Sequence, residues 1–165
     1  MPTLALFRHA KAAVPLQDQR DFDRPLTEGG RDDAARMGNI LAEFGIDLAI
    51  LSAAKRTVET WEIAAGSLRP TPPASIERSL YLCRPNQLIE RIQAIPDSSR
   101  NVVVIGHNPC WHEVALWLAG NSGSGSLRNK FPTAALAVFS VATSWAKLEP
   151  DHAKLERFVA PGALR

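Results

Sequence analysis

The chain has 165 residues, of which 45% are apolar and 22% charged, with a net charge of +2. That length suits one domain with a buried core, residues 1–165, and no block of like charges supplies a basic arm for nucleic acid. Its longest late apolar run, AALAVFSVA, falls far short of the ~20 residues that span a bilayer.

The stretch TLALF, from residue 3, predicts a first strand that ends on Arg8 and His9. Thr27 offers a helix N-cap, after which Ala34, Met37, Ile40, Leu41 and Phe44 share one helical face up to a stop at Gly45. DLAIL predicts the second strand, and a helix follows from about Ala54 to Ala65. ASIERSLYL reads as a short third strand or extended segment. PNQLIERIQAI is a helix with Pro85 near its start and Pro96 just past its end. NVVVIG is a continuous apolar run, as in a strand buried on both faces of a parallel sheet. Asn108 and Pro109 read as a helix start, asparagine capping and proline in the first turn, and CWHEVALWLAG closes at Gly120. NSGSGS is expected to be a loop, and TAALAVFSVA and KLERFV to be late strands near a sheet edge. The alternation predicts an α/β fold, a mostly parallel sheet covered by helices on both faces.

The polar residues gather at strand ends. Arg8 and His9 follow the first strand, Ser52 and then Arg56 the second, and Gly106, His107 and Asn108 follow NVVVI. Ligands of open parallel sheets bind outside the carboxyl ends of the strands, so two arginines and two histidines should meet in one crevice. The helix after Asn108 is expected to point its positive end there. This is an anion site, most naturally for phosphate. A lone arginine is more often a solvated charge and a lone histidine a structural one, which is the reading for His112 and His152. No third ligand accompanies His9 and His107, and two arginines repel a cation, so neither a metal nor a cofactor is expected. Cys83 and Cys110 form no CxxC pair or metal spacing and read as reduced core or pocket-wall thiols. Without a basic n-region at the start, no targeting segment is read, and a soluble, cytoplasmic protein without membrane contact is expected.

LFRHAKA, DRPLTEGG with the helix after it, LSAAKRTVET and VVVIGHNP together resemble the successive motifs of the histidine phosphatase superfamily, in their usual order. The RHAKA, RPLT and GHNP forms and the compact length resemble its small SixA-type phosphohistidine phosphatases, over a stretch reaching about Thr133. The resemblance implies a phosphoglycerate-mutase-like three-layer α/β/α sandwich. It implies His9 as nucleophile, with Arg8, Arg56 and His107 as its phosphate-binding partners. Arg24 matches an arginine that approaches the phosphate in this branch, and Asn108 holds the loop or lines the pocket. The implied partner is a phosphorylated protein, such as a histidine-containing phosphotransfer domain, or a small phosphorylated molecule.

These residue types suit that chemistry. A neutral imidazole attacks phosphorus and gives a phosphohistidine that water cleaves. Guanidiniums clamp phosphoryl oxygens through two bonds at once, a second imidazole donates to the transition state, and the arginines carry the charge without a metal. Ala10 stands where many members have glycine, and Ala53 where a proline is common. Larger members supply a general acid after the second helix, where this chain has Ser79, with Glu77 close by. A phosphoramidate needs such an acid less than an alkyl ester does, which favours phosphohistidine on a protein. Two alternatives stay open: a phosphatase for a small phosphomonoester or phosphoanhydride on the same core, and a phosphate-binding module without turnover.

Overall fold

The apolar runs form a single six-stranded sheet in the computed structural model, which describes residues 1–164. The strands are β1 (Thr3–Arg8), β2 (Leu48–Ser52), β3 (Ala74–Glu77), β4 (Asn101–Gly106), β5 (Leu136–Val141) and β6 (Ala153–Val159). Their order is β3-β2-β4-β1-β5-β6. The first four are mutually parallel; β5 and β6 run antiparallel and form one edge, as expected for the late strands.

Helices α1 (Glu28–Leu41) and α2 (Lys55–Ala64) cover one face, and α3 (Pro85–Gln93), α4 (Cys110–Ala119) and the short α5 (Gly125–Asn129) the other. Strand alternation explains the two cores, because successive side chains point to opposite faces. Ala5, Phe7, Leu51 and Ile105 pack with Met37, Leu41 and Trp61. Leu4, Leu6, Ile50 and Val104 pack with Leu88, Trp111 and Leu118. The result is the three-layer α/β/α sandwich. No helix among the described residues is long and apolar enough to cross a membrane.

The predicted punctuation is mostly present. The Thr27 hydroxyl accepts the Gly30 N–H at 2.9 Å, and Gly45 takes the left-handed conformation (φ 59°) that ends the first helical stretch. Three details differ. β3 stops at Glu77, where residues 78–80 tighten into a 3-10 turn. Part of the NSGSGS loop is helical instead, because Ser124 caps α5 and α5 buries Leu127 completely. Asn108 is no cap: Pro109 occupies that position, and the Asn108 side chain donates instead to the Phe131 carbonyl at 2.8 Å.

One topological fact positions the site. β2, β4 and β1 are consecutive neighbours, so the chain leaves the sheet after Ser52, Gly106 and Arg8 at three adjoining carboxyl ends.

Candidate active site

Where the chain leaves β1, the backbone is tied on every side. The His9 N–H donates to the Gly106 carbonyl at 3.0 Å, and the His9 carbonyl accepts from Ala134 at 2.9 Å. Ala10 N–H donates to the Thr60 hydroxyl at 3.0 Å, which docks α2 against the turn. Gly106 permits the approach of β4 to α4: a Cβ there would lie 2.1 Å from the Trp111 ring. Larger residues would push Trp111, or the His107 backbone, out of place.

Hydrogen bonding sets the state of His9. Its Nδ1 lies 2.7 Å from the Ala10 carbonyl, which can only accept, so Nδ1 carries the proton. Nε2 is therefore a free lone pair, and it accepts the Arg56 Nε–H at 3.3 Å. Burial, His107, Arg56 and Arg8 push its pKa down to about 3, against the Ala10 bond that raises it. The His107 ring centroid stands 5.2 Å from that of His9. His107 Nε2 is 2.7 Å from the Ser52 hydroxyl, and its buried Nδ1 has no protein partner. Burial and the neighbouring arginines push its pKa down to about 3, with Asp21 opposing.

Both imidazoles thus stay neutral through the range below pH 6.5 in which a free histidine gains its proton. In 15N-detected titrations, neither ring is expected to change charge between pH 8 and pH 5. The linkage has a definite sign. With folded values below the unfolded 6.5, the unfolded chain binds more protons, so as the pH is lowered from 6.5 toward 3 stability falls by about 1 kcal/mol per histidine for each pH unit. A midpoint near 6.5 for either ring would overturn the neutral assignment.

Arg56 is buried and its three nitrogens are all engaged. Nη1 donates to the Asp21 carbonyl at 2.8 Å and Nη2 to the Asp21 carboxylate at 3.0 Å, which leaves Nε facing His9. Arg24 Nη1 donates to the same carboxylate at 2.9 Å, and the Tyr81 hydroxyl donates to it as well. The Tyr81 bond, then Arg24 and Arg56, hold the Asp21 carboxyl well below the usual range. Asp21 is the organising residue that reading the sequence missed. The one available signal was an acid three residues before Arg24 in RDFDRPLT.

Arg8 Nη1 donates to the Phe131 carbonyl at 3.0 Å, the same oxygen that receives Asn108. Burial and the Arg56 charge lower its pKa. Arg8 Nε and Asn108 Oδ1 are buried without a partner.

Every predicted site residue meets in one cavity of about 370 Å³: Arg8, His9, Arg24, Arg56, His107 and Asn108. Lys11, Leu82 and Thr133 join them, unforeseen. Leu82 does so with a left-handed backbone (φ 58°), an uncommon state for a branched side chain and one found at functional turns. The start of α4 contributes less than expected. Pro109 has no N–H, Trp111 N–H is donated to the His107 carbonyl at 3.0 Å, and no residue of α4 lines the cavity. Among the described residues, no cluster of three or more His, Cys, Asp or Glu side chains could hold a metal ion. His112 and His152 bond the Leu127 and Lys147 carbonyls, in keeping with structural roles.

Glu77 is not in this cavity. Arg91 grips its carboxylate through two bonds of 2.7 and 2.8 Å, Ser75 adds a third, and these keep its pKa below the ordinary value.

A family model of the histidine phosphatase superfamily (branch 1) matches residues 4–80. An uncharacterised protein of Mycobacterium tuberculosis is 34% identical over 161 residues, 93% of this chain and 99% of that one. Two solved structures, provisionally assigned as phosphohistidine phosphatase SixA, share the fold. The one from Agrobacterium tumefaciens has a TM-score of 0.84 at 26% identity, covering 97% of this chain and 98% of its own. The one from Nakamurella multipartitia has a TM-score of 0.85 at 28% identity, covering 97% and 96%.

Proposed function

From the membership of this chain in the SixA-type branch of the histidine phosphatase superfamily, we propose that it hydrolyses phosphohistidine on a protein, through a phosphoryl group carried on His9. The cavity lining carries this reading. Arg8, Lys11, Arg24 and Arg56 surround two neutral imidazoles, and the described lining residues include no carboxylate. Such a site attracts a phosphoryl dianion strongly but has no carboxylic acid to protonate a poor leaving group.

His9 Nε2 attacks phosphorus as the bond to the substrate imidazole breaks, and that ring leaves carrying its own proton. Water then attacks the phosphoryl group on His9, phosphate departs, and His9 Nε2 regains its lone pair. Arg56 Nε, held toward His9 by the grip of Asp21 on Nη1 and Nη2, shifts its hydrogen bond from Nε2 to a phosphoryl oxygen. Arg8 Nε and His107 Nδ1 are the further donors. Leu82, exposed and lining the cavity, offers an apolar contact suited to a protein surface.

One preparation assayed on a phosphohistidine protein, an aryl phosphate and an alkyl phosphate tests this. The phosphohistidine protein is expected to turn over ~100-fold faster than the alkyl ester, a typical general-acid deficit. Fast alkyl ester hydrolysis would favour a small phosphomonoester, and no turnover of any substrate a phosphate-binding module. Adding a chelator is expected to leave the rate unchanged, because the arginines carry the charge.

Glu77→Gln sharpens the test. Phosphohistidine and aryl phosphate rates are expected to stay within about twofold, where loss of a true acid costs ~100-fold. Stability should fall by up to about 1 kcal/mol in denaturant titration as the partly buried Arg91 pair weakens. A selective loss of alkyl phosphatase activity would make Glu77 the acid after all.

A further inference from the structure

Beside the phosphate cavity lies a smaller one of about 160 Å³, whose walls include Leu82, Cys83, His107, Asn108 and Cys110. The two cysteines are free, and their sulfurs stand 3.7 Å apart although 27 positions separate them in the chain. Cys83 is half-buried and Cys110 buried. Closing that gap to the ~2.0 Å of a disulfide needs a movement of side chains and one turn, not a refolding.

We propose that Cys83 and Cys110 are a redox-active pair that hydrogen peroxide closes into an intramolecular disulfide, slowing the adjoining phosphatase site. The disulfide stands on the sulfur geometry alone; its effect on turnover rests on the phosphatase reading above. The Cys83 thiolate attacks a peroxide oxygen, the O–O bond breaks, and the departing hydroxide takes a proton and leaves as water. Cys83 is then a sulfenic acid. The Cys110 sulfur attacks the Cys83 sulfur, the S–S bond forms, the S–O bond breaks, and the hydroxyl leaves as a second water with the Cys110 proton. Two thiols lose two electrons, and the peroxide gains them.

The order of attack follows from the surroundings. Cys83 is the more accessible sulfur, and the hydrogen bond from Cys110 favours its thiolate. The same bond, with burial, keeps Cys110 protonated, as suits the resolving thiol. The consequence for the site follows from the neighbours. Cys83 continues the turn that carries Tyr81, which bonds Asp21, and Leu82, which walls the phosphate cavity. Cys110 lies three residues after His107. Drawing the sulfurs together therefore pulls on the support of Arg56, on the cavity wall, or on His107. Displacements of about 1 Å at a catalytic group cost up to ~100-fold in rate.

The test treats the whole protein with hydrogen peroxide, blocks residual thiols, and follows intact mass, unreduced peptide maps and aryl phosphate turnover. The expected result is a monomer lighter by two hydrogens, a peptide linking Cys83 to Cys110, and a rate lower by about tenfold that dithiothreitol restores. Cys83→Ser, which lacks the attacking thiol, should keep its rate at the same dose. Unmodified thiols, disulfides only between molecules, a disulfide without change in rate, or equal inactivation of Cys83→Ser would each overturn the proposal. An untreated protein without turnover would instead strike the phosphatase reading, while the mass measurement still decides whether the disulfide forms.

Discussion

His9→Ala is expected to lose turnover by about 10³-fold or more while the fold persists, as removing a nucleophile leaves only the binding and electrostatic contributions. The loss is chemical because Nε2 is the one lone pair of that ring open to phosphorus, Nδ1–H being committed to the Ala10 carbonyl. The fold should survive because the backbone of His9 makes the tethers to Gly106 and Ala134, and these need no side chain. Circular dichroism and denaturant unfolding check that half. Rapid quenching in alkali, where phosphohistidine endures, should trap a phosphorylated wild type and no phosphorylated variant. A variant that still turns over would end covalent catalysis on His9.

Arg56→Lys is expected to cost about 100-fold in kcat/KM even though the charge is kept. Three guanidinium nitrogens hold three directions at once, to the Asp21 carbonyl, to its carboxylate and to His9 Nε2. An ammonium is a point donor on a flexible stem and cannot hold the Asp21 fork while also facing the phosphoryl group. The Asp21 carboxylate would then lose one of its charged partners, and its pKa should move up toward the ordinary range. Arg56→Ala should be slower still. The check is steady-state kinetics of both variants beside a carbon-13 titration of the Asp21 carboxyl. A lysine variant within threefold of wild type would show that charge alone suffices there.

Much of this site was legible because its residues adjoin strand ends. Arg8 and His9 follow TLALF, and His107 follows NVVVIG, in a chain whose apolar periods already imply parallel strands. Asp21 was not legible. It bonds Arg56 across 35 positions and Tyr81 across 60, and its spacing from Arg24 is shared by any solvated acid with an i,i+3 arginine. Asn108 misled for a related reason. A helix-capping signal is local, and the carbonyl of Phe131, 23 positions away, won the side chain instead. Glu77 could not be assigned a face, since that depended on whether Arg91 on α3 would reach it.

The sequence by itself determined the layered α/β architecture, the chain order of its elements, and the histidines and arginines that the strands deliver. Those follow from periodicities of two and 3.6 residues and from residue chemistry, which act over a few positions. Only the tertiary structure decided that β4 inserts between β2 and β1, setting Ser52, His107 and His9 side by side. It alone decided the neutral state of both imidazoles, the grip of Asp21 on Arg56, and the approach of Cys83 to Cys110. Each of these depends on burial or on a contact between distant segments, and both come into being only when the sheet closes its strand order and the helices pack down on it.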